Sequence, residues 1–77
     1  MLLSVAFPFS LAPTGVTNGE NTLFTLPQAP LNNSLLLFKN GLFMTPGIGG
    51  DYLIMGNQIT LASAPAVGDK LHAQGTY

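Results

Sequence analysis

The sequence predicts an all-β domain, a small antiparallel β-sandwich or barrel-like fold of about seven short strands. Three observations carry that prediction. Short apolar runs with a period of two recur along the chain, and two dipeptides suited to tight hairpin loops sit between such runs. No stretch of eleven residues carries a 3.6-residue apolar period free of Gly and Pro, so helices are not expected. Several short strands punctuated by regular turn signals are the pattern of a sandwich or barrel. The whole chain, residues 1–77, is expected to form one domain whose core is only marginally able to hold itself together.

In chain order, residues 3–11 alternate. Leu3, Val5, Phe7, Phe9 and Leu11 point one way, and Ser4, Ala6, Pro8 and Ser10 the other, as in a strand with one buried face. Pro8 cannot donate to a ladder, so residues 1–12 are expected to form an N-terminal edge strand. An edge strand at a terminus can also be exchanged with a neighbouring subunit by adding to its sheet. The opening MLLSVAFPFSLA has the look of a secretory leader, but it lacks a basic region, Pro8 interrupts it and Ser4 and Ser10 dilute it. It is expected to be part of the fold, and it is too short to cross a bilayer as a helix.

Residues 12–20 are dense in turn formers and read as a loop, followed by a short strand over residues 21–26 with Thr22, Phe24 and Leu26 on one face. Residues 27–33 end it. Residues 35–38 are continuously apolar; such a run is buried on both faces, or buries one face in the domain and the other in a partner. Two hairpins follow. Asn40-Gly41 and Gly56-Asn57 supply the positive φ that two-residue loops need. The first loop sets Lys39 opposite Leu42, Phe38 opposite Phe43 and Leu37 opposite Met44. The second sets Met55 opposite Gln58, Ile54 opposite Ile59 and Tyr52 opposite Leu61. Both registers bring large apolar groups together. The flexible residues 46–50 join the hairpins.

After another Pro/Gly connection over residues 63–68, residues 70–77 form the last strand. Leu71, Ala73, Gly75 and Tyr77 lie on one face, and His72, Gln74 and Thr76 on the other. A weak internal repeat relates Phe24-Thr25-Leu26-x-x-Ala29-Pro30 to Ile59-Thr60-Leu61-x-x-Ala64-Pro65, which suggests two similar arches.

Composition bounds the function. Charged residues make up 6% of the chain (Glu20, Lys39, Asp51, Asp69 and Lys70), against about 25% in an average soluble domain. A free surface normally carries many charges, so much of this one is expected to be covered by neighbours. Two lysines and no arginine leave no electrostatic footprint for nucleic acid. The absence of cysteine excludes disulfides and Cys-based zinc sites.

Chemistry-bearing residues are sparse. His72, three residues after Asp69, has no nucleophile signature such as G-x-S-x-G beside it and is read as an outward-facing strand histidine. Glu20, Asp51 and Asp69 are oxygen donors of the kind calcium takes, but their spacing is not that of a calcium loop. Gly47, Gly49 and Gly50 precede a strand, whereas a phosphate cradle opens a helix. Tyr52, Tyr77 and the Asn-rich loops are the residues a sugar-binding surface would use; against this, Tyr52 is expected to pack across from Leu61 and Tyr77 to close the final strand. No catalytic, cofactor-binding or metal site is expected, and no small-molecule substrate.

The ordered set of turn motifs from Pro13 to Tyr77 resembles a small β-domain recurrent in tailed-bacteriophage virion proteins. The motifs are Pro13-Thr14-Gly15, residues 18–27, Ala29-Pro30, Asn40-Gly41, Pro46-Gly47, Asp51-Tyr52, residues 56–61, Ala64-Pro65 and Gly68-Asp69. The resemblance implies a non-enzymatic structural piece of a symmetric assembly, located in the virion after assembly in the host cytoplasm. Such modules are often embedded in longer fibre chains; this short chain is instead expected to serve in head decoration or cement, the neck, or tail-fibre attachment. Its expected partners are other virion proteins and further copies of itself, a trimer being one arrangement. The residues expected to make protein contacts are Leu3, Val5, Phe7, Phe9, Phe38 and Phe43. A carbohydrate-binding module for host-surface glycans is the alternative.

Overall fold

The computed structural model describes residues 7–31 and 34–77. Seven strands run in chain order as β1 (Pro8–Leu11), β2 (Leu23–Thr25), β3 (Leu36–Lys39), β4 (Leu42–Phe43), β5 (Tyr52–Met55), β6 (Gln58–Leu61) and β7 (Leu71–Thr76). They form a four-stranded sheet in the order β1-β7-β3-β4 and a three-stranded sheet in the order β2-β6-β5. Every strand pairing within the sheets is antiparallel.

Both hairpins form in the expected registers. Phe38 faces Phe43 and Lys39 faces Leu42, with Met44 N–H donating to Leu37 O across the next pair. In the other, Tyr52, Ile54 and Met55 face Leu61, Ile59 and Gln58. Asn40 and Gly41 both have positive φ (53° and 83°), the signature of a type I′ turn, whereas at Gly56-Asn57 only Gly56 (60°) does, as in type II′. The hairpins lie in different sheets. Residues 45–51 carry the chain from one sheet to the other and are closed by a tight set of bonds: Thr45 N–H donates to Asp51 Oδ2, Asp51 N–H to Thr45 O, and Gly50 N–H to Gly47 O. A Cβ on Gly50 would meet Thr45 O and Pro46 O, so that corner requires glycine.

The core lies between the sheets. Leu35, Leu37, Met44, Leu71 and Ala73 from one side meet Phe24, Leu26, Tyr52, Ile59 and Leu61 from the other. Two bridges tie the sheet edges together, Thr14 with Thr25 and Pro46 with Tyr52, giving the sandwich a barrel-like closure. The repeated Thr-Leu-x-x-Ala-Pro segments do form comparable arches. Each leaves the three-stranded sheet, from β2 or β6, and enters the four-stranded one, as β3 or β7. The paired strands are neighbours, Phe24 opposite Ile59 and Leu37 opposite Ala73.

One expectation is corrected by packing. The period-two pattern sets Phe7 on a buried face with Phe9 and Leu11, yet Phe7 is 63% exposed while those two pack against the core. It pairs with Tyr77 at the end of the ladder, past Leu71 and Ala73 where β7 is buried. Along residues 35–38 only one face is buried: Leu35 and Leu37 point into the core, and Leu36 faces outward.

Candidate contact surface

Strand parity positions the outward side chains. Leu37 points inward, so Leu36 and Phe38 point outward, joined by Phe43 from β4. The Phe38 and Phe43 rings meet edge to face at 5.9 Å between centroids, and Phe43 remains exposed. Phe9 is used differently: it packs against the core, stacks on Tyr77 at 4.3 Å and covers the bare Cα of Gly75. Of the residues expected to make contacts, then, Phe7, Phe38 and Phe43 present surface, and Phe9 is largely taken up by its own domain. Leu3 and Val5 lie outside the described residues.

The same parity rule exposes residues that the sequence reading passed over. Leu23 and Leu53 flank Thr60 on the outer face of the three-stranded sheet, and Met55 and Thr25 flank Gln58. Ile48, between two glycines, is 97% exposed beside a hollow of about 190 Å³ that Leu53, Thr60 and Ala62 also line.

Sheet edges offer less. Phe7, Phe9 and Leu11 direct their backbone groups toward β7, so the missing N–H of Pro8 falls on the free side of β1, where it removes one donor from any added strand. The β2 edge is sealed. The Asn21 side chain accepts from Leu23 N–H and donates to Leu23 O, and Thr14 exchanges both backbone bonds with Thr25. These devices blunt edge-to-edge pairing, leaving side-chain faces as the better contact surface.

The polar residues have structural work. His72 Nε2 lies 2.7 Å from Ser10 Oγ on the neighbouring strand. Asp69 does not extend that pair toward a triad, because Asp69 Oδ1 accepts from Asn40 Nδ2 and Oδ2 from Ala66 N–H. Asp69 and His72 border an open groove of about 510 Å³ between residues 12–17 and the start of β7. Glu20, Asp51 and Asp69 do not converge, and no group of three potential metal ligands occurs among the described residues.

The hydrogen bond from Asn40, the Ala66 N–H and the nearby Lys39 charge hold the Asp69 carboxyl below its ordinary 3.8. A carboxyl depressed on folding contributes stability above its unfolded pKa, and that contribution is lost as pH falls through the lower folded value. Acidification below about pH 4 is therefore expected to lower Tm, and Asp69→Asn to flatten that dependence. Thermal melts of both proteins between pH 2 and 7 check this; parallel curves would count against it.

Both tyrosines have packing roles in the domain. Tyr52 is buried opposite Leu61, and burial raises its phenol pKa. Tyr77 is stacked on Phe9, and its hydroxyl oxygen is shut away from solvent with no hydrogen-bond partner among the described residues. An unsatisfied buried hydroxyl costs about 1–3 kcal/mol. Tyr77→Phe is thus expected to stabilise the domain by about 1 kcal/mol, a rise in Tm of roughly 4–8 °C. A drop in Tm would show that the hydroxyl is satisfied in solution.

Comparison with known proteins gives no match to a family model, to a curated protein or to a solved structure.

Proposed function

We propose that this chain is a non-enzymatic structural subunit of a tailed-bacteriophage virion, serving in head decoration or cement, the neck or tail-fibre attachment. It works by protein–protein contact with other virion proteins and with itself. One observation carries the proposal: twelve large apolar side chains are exposed among the described residues, in a chain with only five charged ones. Each buried Å² of such surface stabilises a contact by about 25 cal/mol before association costs are subtracted. The ordered turn motifs from Pro13 to Tyr77 support the virion as the setting.

The test is an antiserum against the purified chain, applied to density-purified particles from cells that carry its gene. A constant copy number per particle that survives high salt is the expected result. Abundance in the lysate with none on the particles would overturn the proposal.

A further inference from the structure

The sequence contains two Asn-Gly dipeptides, Asn18-Gly19 and Asn40-Gly41. In such a pair the glycine nitrogen can attack the asparagine Cγ, because glycine has no Cβ to obstruct the five-membered ring. The new C–N bond expels the side-chain nitrogen, which leaves as ammonia with the glycine N–H proton. Water then opens the cyclic imide at either carbonyl, giving aspartate or isoaspartate. Water is the one co-reactant, and nothing is oxidised or reduced.

The fold treats the two sites differently. Both asparagines are exposed, and the space around both glycines is open. Each asparagine side chain makes two hydrogen bonds that must break for the ring to close. Asn18 Oδ1 accepts from Glu20 N–H at 2.9 Å and from Asn21 N–H at 2.8 Å. Asn40 Nδ2 donates to Asp69 Oδ1, and Asn40 Oδ1 accepts from Lys70 N–H. With the side chains held alike, the attacking nitrogens decide. Gly19 N–H donates to Pro65 O at 2.9 Å, whereas Gly41 N–H, at the tip of the β3–β4 hairpin, has no protein partner among the described residues.

We propose that Asn40 is where the folded chain deamidates first, and that the product releases residues 66–70 from the β3–β4 hairpin. The inference stands independently of the virion reading. In aspartate a carboxylate oxygen replaces the Nδ2 that donates to Asp69 Oδ1, so an attraction at 3.0 Å becomes a contact of like charges. Isoaspartate does more. It adds a carbon to the main chain of a loop whose two residues fix the register of Phe38 against Phe43. Asn18 has no acidic partner of this kind, since both its bonds come from backbone N–H groups.

Ageing the purified chain in mildly alkaline buffer, folded and in urea, with tandem mass spectrometry of the intact protein, tests this. Deamidation adds about 1 Da, and fragmentation places it. In urea the two Asn-Gly sites are expected to convert at similar rates. In the folded chain Asn40 should lead Asn18 by about fivefold or more, the effect of the hydrogen bond that holds the Gly19 nitrogen. Asn40→Gln, which would have to close a six-membered ring, should stay unconverted at residue 40 while Asn18 keeps its rate. The aged fraction, isolated by anion exchange through its extra charge, should melt roughly 4–8 °C below fresh protein. Asn40→Asp should also melt below the wild type, and the aged fraction carries the test if that variant does not fold. Conversion at Asn18 first, equal rates in the folded chain, or an unchanged Asn40 while the urea-treated chain converts overturns the site. An aged fraction that melts with fresh protein overturns the release.

Discussion

Replacing Phe24 with alanine is expected to remove most of the domain's stability. Phe24 is 1% exposed, faces Ile59 across the β2–β6 pair and sits in the centre of the buried cluster. The chain at Gly15 passes so close to its ring that any Cβ there would collide with it. Truncating a buried phenylalanine costs about 3–5 kcal/mol, the lost transfer energy plus the cavity left behind. A domain of this length has about 4–12 kcal/mol in total at roughly 0.05–0.15 kcal/mol per residue. Urea unfolding followed by circular dichroism should show the midpoint falling sharply or no transition at all. Phe43→Ala, which trims an exposed ring, should cost less than about 1 kcal/mol. Equal losses at the two positions would mean that the core is not where the two sheets meet.

Asn40→Ala should produce the second largest effect, about 3–4 kcal/mol, from two separable sources. Asn40 holds φ at 53°, a conformation that costs an ordinary L-residue about 1–2 kcal/mol. Its side chain also donates to Asp69 Oδ1 at 3.0 Å and accepts from Lys70 N–H at 2.9 Å. Each such bond contributes about 1 kcal/mol net. Asn40→Gly restores the backbone freedom but not the bonds, so the order of stability should be Asn, then Gly, then Ala, as thermal melts of the three proteins would show. If the Asn40→Gly and Asn40→Ala variants melted together, backbone strain at this turn would be negligible and the clamp would account for the whole loss.

Those two positions divide what could be read from residues alone. The Asn40-Gly41 turn was legible because a two-residue loop leaves no freedom in register: the residues on either side must pair, and Phe38 then meets Phe43 by counting. The same counting placed Tyr52 opposite Leu61, and with it the burial of Tyr52. What Asn40 holds was not legible. Its partners Asp69 and Lys70 lie about thirty residues away, and neither carries a local mark of the contact. Asn57 is similar: its place in a turn follows from Gly56, but its side chain donates to Leu26 O, fixing the exit of β2.

The contact surface was partly legible for the same reason. Phe38 and Phe43 could be singled out from one hairpin, whereas the outward placing of Leu36, Leu53 and Met55 needed only strand parity once the inner face was known. Phe9 could not be separated from Phe7 by pattern, since both share a parity. Only the position of the core along β7 buries one and exposes the other.

By itself the sequence determined the fold class, both hairpin registers and the near absence of surface charge, because each follows from local rules: period two, turn chemistry and composition. The tertiary structure decided the strand order, the edge bridges at Thr14 and Pro46, and the pairing of Ser10 with His72. These depend on pairings such as Leu36 with Gln74 and Phe24 with Ile59. Such contacts form between segments far apart in the chain, where closing the loop costs entropy and the gain comes only from the whole buried cluster.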